Sequence, residues 1–124
     1  MARELKTAWG QISISDDVIA AIAGMAAHES YGLVGMASRT FTDGIAELLG
    51  MENISKGVEV KVDGEEVKIN LFVIVEYGTK VTEVAKNVVE KVRYVVEAMT
   101  GLKVADVKIT VQGVRVNRVG KDKR

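Results

Sequence analysis

The segment 67–116 constrains the fold of this chain most strongly, because an alternating apolar run, a long amphipathic helix and a second alternating run follow one another there with short connections. Aliphatic residues alternate with polar ones before and after the helix, which is typical of strands. The helix is predicted over 80–99, with Thr79 as its N-cap and Gly101 as its stop. Its near-continuous apolar stripe, which extends from Val81 to Met99, is predicted to face the core, opposite a face of mixed charge. Strand, helix and strand in this order predict an α+β domain.

The apolar phase changes within the last predicted strand. Val107 and Val111 occupy odd-numbered positions, whereas Val114 and Val116 occupy even-numbered ones. One inserted residue reverses the side on which later side chains point, and Gly113 lies at the change. The sequence therefore predicts a β-bulge at Gly113.

The N-terminal half contains shorter predicted elements. A strand is predicted over 11–15 and a helix over 16–29, with Ser15 suited to accept a hydrogen bond from a first-turn N–H. Segment 31–36 is predicted to be a buried turn or a short extended piece, and segment 43–49 a two-turn helix. A hairpin follows, in which Asp63-Gly64 forms the tight turn.

Phe72 and Ile74 make the second face of the returning hairpin strand apolar, although its first face is already apolar. A strand exposed to water on one side would keep polar residues on that side. Either part of the same chain covers this second face, or Phe72 and Ile74 belong to a contact between subunits.

Charge is balanced overall but uneven along the chain. Lys and Arg together number 17, as do Asp and Glu, so the whole chain has no electrostatic footprint for nucleic acid or anionic lipid. We expect one domain over 8–117 and a basic tail over 118–124. The basic residues at this end, candidates for contact with an acidic partner, are Arg115, Arg118, Lys121, Lys123 and Arg124.

Cellular location is predicted from what the sequence lacks. Cysteine is absent, which removes disulfides, thiolate nucleophiles and sulfur metal ligands. The first residues lack the apolar core of a signal peptide, and no apolar run approaches the roughly 18 residues of a membrane span. We therefore expect a cytoplasmic protein that meets a membrane only indirectly, through a partner.

Two features could carry chemistry, and neither is persuasive. His28 lies near the end of the first predicted helix, but no nucleophile that it could activate is readable from the sequence, and one His without Cys does not make a zinc site. Gly32 and Gly35 formally match the GxxG loop of RNA-binding KH domains. Such loops join two helices directly and present their middle residues to a phosphate backbone. Here the middle residues, Leu33 and Val34, are apolar, and about seven residues separate Gly35 from the next predicted helix. We expect no catalysis, cofactor, metal or nucleic-acid partner.

Several short segments together resemble the alkaline-shock-protein family of envelope stress-response proteins, and most closely its small YloU-like members. The segments are Gly10-Gln11-Ile12-Ser13-Ile14, Glu29-Ser30-Tyr31-Gly32-Leu33-Val34-Gly35-Met36, Val75-Glu76-Tyr77-Gly78, Met99-Thr100-Gly101-Leu102, and Val107-Lys108-Ile109-Thr110-Val111-Gln112-Gly113-Val114-Arg115-Val116. Their order and spacing carry the resemblance, since no single segment is specific. The motif residues, which we interpret as structural, are Gly10, Glu29, Gly32, Gly35, Met36, Gly78, Thr100, Gly101 and Gly113.

The pattern and the resemblance together give one expectation of fold and function. The fold expected is an α+β two-layer sandwich, with a mixed sheet of three or four strands packed by one long helix and one or two shorter ones. The resemblance implies a non-enzymatic protein of bacterial envelope stress homeostasis, mainly in Gram-positive organisms, and a protein partner such as a membrane anchor. Together with the apolar face of Phe72 and Ile74, it predicts a scaffold or adaptor that forms homo-oligomers. The alternative is a regulatory partner of a lipid-metabolism enzyme such as fatty-acid kinase, because genes of the YloU-like group tend to lie beside that kinase gene.

Overall fold

The computed structural model describes residues 2–38 and 48–116, and for residues 2–7 it describes the backbone alone. Six strands and two α-helices are described, together with one 3₁₀ helix, Met51–Gly57. In chain order the strands and helices are β1 Ala2–Thr7, β2 Gly10–Ser15, α1 Asp16–His28, β3 Leu33–Met36, β4 Val58–Asp63, β5 Glu66–Glu76, α2 Val81–Thr100 and β6 Lys103–Arg115.

β5 is the central strand of the main sheet. β4 pairs antiparallel with residues 66–71 of β5, and β3 pairs antiparallel with residues 73–75, so both lie along one edge of β5. β6 runs parallel to β5 along its opposite edge, joined to it by α2. The sheet is therefore mixed and four-stranded, as predicted.

The core lies between this sheet and the two α-helices. Alternate residues of β5, from Val67 to Val75, are buried on the side that faces the helices. α2 meets them with four buried valines spaced four residues apart, so one narrow stripe of the helix enters the core. These valines are Val84, Val88, Val92 and Val96. The expected α+β two-layer sandwich is confirmed.

Most local predictions agree with the structure. Ser15 caps α1 and accepts a hydrogen bond from the Val18 N–H at 3.3 Å. Gly101 ends α2 in a left-handed conformation with φ of 77°. The bulge is also confirmed, because Val73 pairs with Val111 but Ile74 pairs with Gly113, which leaves Gln112 as the inserted residue.

Other local predictions need correction. The hairpin turn is Gly64-Glu65, since Asp63 still pairs with Glu66. Thr79 does not cap α2, because its hydroxyl donates to the Glu76 carbonyl at 2.7 Å and Lys80 precedes the helix. The helix predicted over 43–49 lies mostly outside the described residues. Its last two residues are not helical, and Leu48 forms a single β-bridge with Ala37.

Within the described ranges, neither helix combines the length and the apolar character needed to cross a bilayer.

Candidate functional site

An apolar groove runs between α1 and α2 on the side turned away from the sheet. It has a volume of about 410 Å³ and is open to solvent. Residues from both helices line it: Ala21, Ile22, Met25, Ala26, Glu29, Val95 and Met99.

The groove arises because each helix carries more apolar residues than the core uses. On α1 the buried stripe includes Ile19 and Ala23, while Ile22 and Met25 lie beside it, half-buried and exposed respectively. On α2, Val95 and Met99 lie beside the buried stripe in the same way. Close contact of the two helices is helped by the small alanines of α1, so the surplus residues form one continuous surface.

This result corrects the predicted inner stripe of α2. The sequence places Val81 and Met99 among the core residues, but they are 41% and 68% exposed. A stripe spaced every four residues is narrower than the apolar arc in the sequence. The residues left outside it are the ones that build the groove.

An ion pair joins the two helices at one end of the groove. Lys91 Nζ of α2 lies 3.3 Å from Glu29 Oε1, just beyond the end of α1. Both side chains are partly exposed, so the pair adds little to stability. It nevertheless places one charged contact beside an otherwise apolar surface.

The chemistry of this groove is that of binding. Glu29 is the only ionisable residue among those lining it, so it has no acid–base pair or nucleophile. The two methionines are flexible and polarisable, and such side chains adapt to apolar partners of irregular shape. In the described part of the chain, no group of three or more His, Cys, Asp or Glu residues is placed to hold a metal ion.

His28 lies apart from that surface, half-buried at the end of α1. A Cβ built on Gly35 would lie 4.0 Å from His28 Nδ1, so the ring packs beside the backbone of β3. This position agrees with a structural histidine.

Gly32 and Gly35 do not form a KH loop. The chain between them enters strand β3, and both glycines are buried. A Cβ built on Gly32 would lie 2.5 Å from Val84 Cγ2, and one built on Gly35 would lie 2.7 Å from Leu48 Cδ1. These glycines allow close packing and do not present a loop to a phosphate backbone, so RNA binding through this segment is not supported.

The other motif residues also have structural surroundings. Met36 is buried in the core. The Thr100 hydroxyl donates to the Val96 carbonyl at 2.6 Å and accepts from the Leu102 N–H at 3.1 Å, which fixes the exit from α2. Gly10 and Gly78 both have positive φ, at the start of β2 and after β5.

The predicted contact residues Phe72 and Ile74 are not brought together as an exposed surface. Ile74 has no exposed area, so the chain itself covers the second face of β5 at this point, which is the first of the two alternatives. Phe72 is half-buried. The proposal of an interaction surface that includes Ile74 is therefore wrong for this chain.

Arg115 is exposed at the end of β6. The other four basic candidates, Arg118, Lys121, Lys123 and Arg124, lie outside the described residues.

A second, polar depression lies on the face of the sheet opposite the helices. It has a volume of about 260 Å³ and contains both charge signs. Its lining residues are Glu59, Lys61, Lys68, Ile69, Asn70, Asp106 and Lys108. Because the charges are mixed, this depression does not select an anion or a cation.

Sequence reasoning missed the groove between the helices. The available signal was that α1 carries further apolar residues, Val18 and Met25, beside the inner stripe predicted from Ile19, Ile22, Ala23 and Ala26. Only the packing of α1 on α2 shows that it joins Val95 and Met99.

Comparison with known proteins places these features in a family. The model of the alkaline shock protein 23 family, described as having a cell envelope-related function, matches residues 4–116. The uncharacterized protein YloU of Bacillus subtilis strain 168 is 53% identical over 117 residues, which cover 94% of this chain and 98% of YloU. No solved structure matches the chain.

More distant relatives come from Streptococcus pyogenes. The uncharacterized protein Spy1614 is 38% identical over 117 residues, covering 94% of this chain and 97% of Spy1614. A protein named stress response regulator gls24 homolog is 29% identical over 106 residues, covering 86% of this chain and 59% of its own length. None of these names denotes a reaction. Since the family model spans nearly the whole chain and YloU matches it end to end, the chain belongs to the alkaline shock protein 23 family of cell envelope-related function.

Proposed function

We propose that this chain is a non-enzymatic adaptor in envelope stress homeostasis, which self-associates and holds a helical segment of a protein partner in the groove between α1 and α2. The apolar groove with Met25 and Met99 on its surface is the observation that carries this proposal. Family membership supplies the link to the cell envelope.

A helix fits the groove better than other apolar ligands. Two packed helices present parallel ridges, and a third helix can place its own ridge between them. The lining on α1 extends from Ala21 to Glu29, which corresponds to about 12 Å, or two turns of a partner helix. A lone acyl chain would stay largely wet in an open groove, whereas small-molecule sites usually bury most of their ligand.

The ion pair between Glu29 and Lys91 gives the proposed partner helix a preferred orientation in the groove. Glu29 and Lys91 mark only one end of the surface. An amphipathic helix with apolar residues at i, i+3, i+4 and i+7 would cover the methionines, and a polar residue at one of its ends would meet the ion pair. The partner is therefore a protein with an exposed amphipathic helix, such as a membrane anchor protein with a cytoplasmic segment.

Quantitative affinity purification from the bacterium of origin tests this function. The double variant Met25→Lys/Met99→Lys places charge in the groove at exposed positions, and Tyr94→Lys, at a 73% exposed position on the same helix, is the matched control. We expect at least one protein to be lost from the double variant and retained by the control. A synthetic helix from that protein should then bind the wild-type chain in calorimetry and fail to bind the double variant.

The identity of the captured protein separates the two adaptor roles. A membrane anchor supports the proposal as stated, while a lipid-metabolism enzyme such as fatty-acid kinase would replace it with the regulatory role. The same set of proteins on the double variant and on the wild type would show that the groove is not the binding surface.

A further inference from the structure

The β1–β2 hairpin stands apart from the main sheet. Among the strands that the structure describes, β1 and β2 pair only with each other, in register from Ala2 opposite Ser15 to Thr7 opposite Gly10. Among the described side chains of the hairpin, Ile14 packs partly against the core. The turn residue Trp9 is 96% exposed, and Ile12 is 50% exposed.

Alternation along β2 gives this hairpin one apolar face. Ile12 and Ile14 share one side of β2, while Gln11 and Ser13 point to the other side. A two-stranded hairpin is at best marginally stable in water unless a further strand or a packing surface joins it. An apolar face that the chain covers only at Ile14, beside an exposed tryptophan, therefore indicates a partner.

β6 offers a complementary edge. It pairs with β5 along one side, and no described strand pairs with its other side. Exposed strand edges are usually guarded by charged residues, because unpaired N–H and C=O groups recruit other strands. The first half of β6 has Lys103, Asp106 and Lys108, but no charged residue occurs over 109–114.

The unguarded half of β6 is also apolar and exposed. Val111 and Val114 are 37% and 52% exposed, and both face the helix side of the sheet, because they pair with Val73 and Val75. Segment 109–114 has six residues, the same number as each hairpin strand, so the two lengths match at about 20 Å.

We propose that the β1–β2 hairpin of one copy adds to the 109–114 edge of β6 in a second copy, so that Trp9 and Ile12 cover Val111 and Val114. The occupant is a second copy because one chain carries both the uncovered hairpin and the unguarded edge at matching length. The two surfaces differ, so the contact is head-to-tail and leads to rings or open chains of copies. This inference rests on the self-association in the proposed function and names its surfaces.

A mixing experiment tests the head-to-tail geometry. The hairpin variant Trp9→Ser/Ile12→Lys keeps the β6 edge, and the edge variant Val111→Lys/Val114→Lys keeps the hairpin. All four positions are exposed, and circular dichroism would check that both variants are folded. By sedimentation velocity we expect assemblies larger than dimers for the wild type, monomers for each variant alone, and a dimer when the two variants are mixed.

Other outcomes would overturn the inference. A wild-type chain that stays monomeric up to about 1 mM would remove it, since a contact weaker than that is not specific assembly. Variants that assemble as the wild type does would show that other surfaces are used. Monomeric variants that form no dimer on mixing would indicate a symmetric contact between like surfaces.

Disulfide trapping gives a second test that leaves the apolar surfaces nearly intact. The chain has no natural cysteine, so Ile12→Cys and Val111→Cys each introduce a single thiol. Under mild oxidation we expect crosslinks between the two variants in a mixture, and few within either variant alone. Predominant crosslinking of Ile12→Cys with itself would contradict the inference.

The groove variant Met25→Lys/Met99→Lys should still assemble, which separates failure of this contact from failure of partner binding.

Discussion

At the scale of single residues, Gly32 and Val84 show how closely the turn after α1 approaches α2. Gly32 has φ of +89°, and a Cβ there would lie 2.5 Å from Val84 Cγ2. We expect Gly32→Ala to lower the free energy of unfolding through backbone strain of about 1–2 kcal/mol and overpacking of about 1–3 kcal/mol. Urea unfolding measures the loss.

Gly78 is the matched control for that prediction. Its φ of +95° is similar, but nothing lies within 4 Å of a Cβ built there. Gly78→Ala should therefore lower the free energy of unfolding through backbone strain alone, by about 1–2 kcal/mol. Equal losses of unfolding free energy in the two variants would mean that the Val84 side chain moves away from the new methyl group without destabilising the fold.

Residue-scale predictions succeed where the controlling contacts are local. Ser15 and Gly101 act on their own helix ends, so sequence neighbours were enough to assign them. Thr79 could not be assigned in this way, because its hydroxyl can either accept from a helix N–H or donate to a carbonyl of the preceding turn. In this chain it donates to the Glu76 carbonyl. The crowding at Gly32 depends on a residue of another element and was not predictable.

At the scale of elements, α2 is held in place by burial more than by intrinsic helix propensity. It is rich in valine, a poor helix former, and its four inner valines are almost completely buried. We expect Val92→Ala to lower the free energy of unfolding by about 2–3 kcal/mol, through lost transfer energy and the cavity left behind. Chemical denaturation followed by circular dichroism measures this.

Tyr94 provides the comparison within the same helix. It is 73% exposed, so Tyr94→Ala should change stability by no more than about 0.5 kcal/mol. A loss as large as that of Val92→Ala would show that the outer face of α2 is packed in solution.

Elements were predictable when their apolar pattern was strong. The β4–β5 hairpin, both helices and the β6 bulge follow from alternation, periodicity and a change of phase. β1 was missed because Ala-Arg-Glu-Leu-Lys-Thr has too few apolar residues to show alternation, and its strand conformation depends on pairing with β2. The 3₁₀ helix Met51–Gly57 was missed because no periodic stripe marks it.

At the scale of the whole molecule, charge balance should govern solubility. The formal net charge is zero at pH 7, and the isoelectric point is near 6.6. We expect light scattering from non-specific association to be greatest near that pH and to fall about two pH units above it, where net negative charge separates the molecules. Assembly through the hairpin and β6 should persist at the higher pH, because apolar contacts and backbone hydrogen bonds carry it.

The candidate site belongs to this scale, which explains why sequence reasoning did not find it. The groove joins residues of α1 to residues of α2 more than 60 positions later, so it depends on how the helices pack. The same limit applies to Ile74, since a pattern shows that a face is apolar but not whether the chain covers it. Family membership was recognisable because it depends on the order and spacing of short segments, which can be read from the sequence without knowing how the helices pack.

The central position of β5 has a consequence for biosynthesis. β3, β4 and β6 all pair with β5, and β6 is the last of these strands in the described sequence. During translation, one edge of β5 stays open until α2 and β6 have left the ribosome, because the parallel partner arrives only after the crossover helix. The nascent chain therefore passes through a stage at which its most apolar strand presents an unpaired edge, and this is the stage at which a chaperone has most to protect.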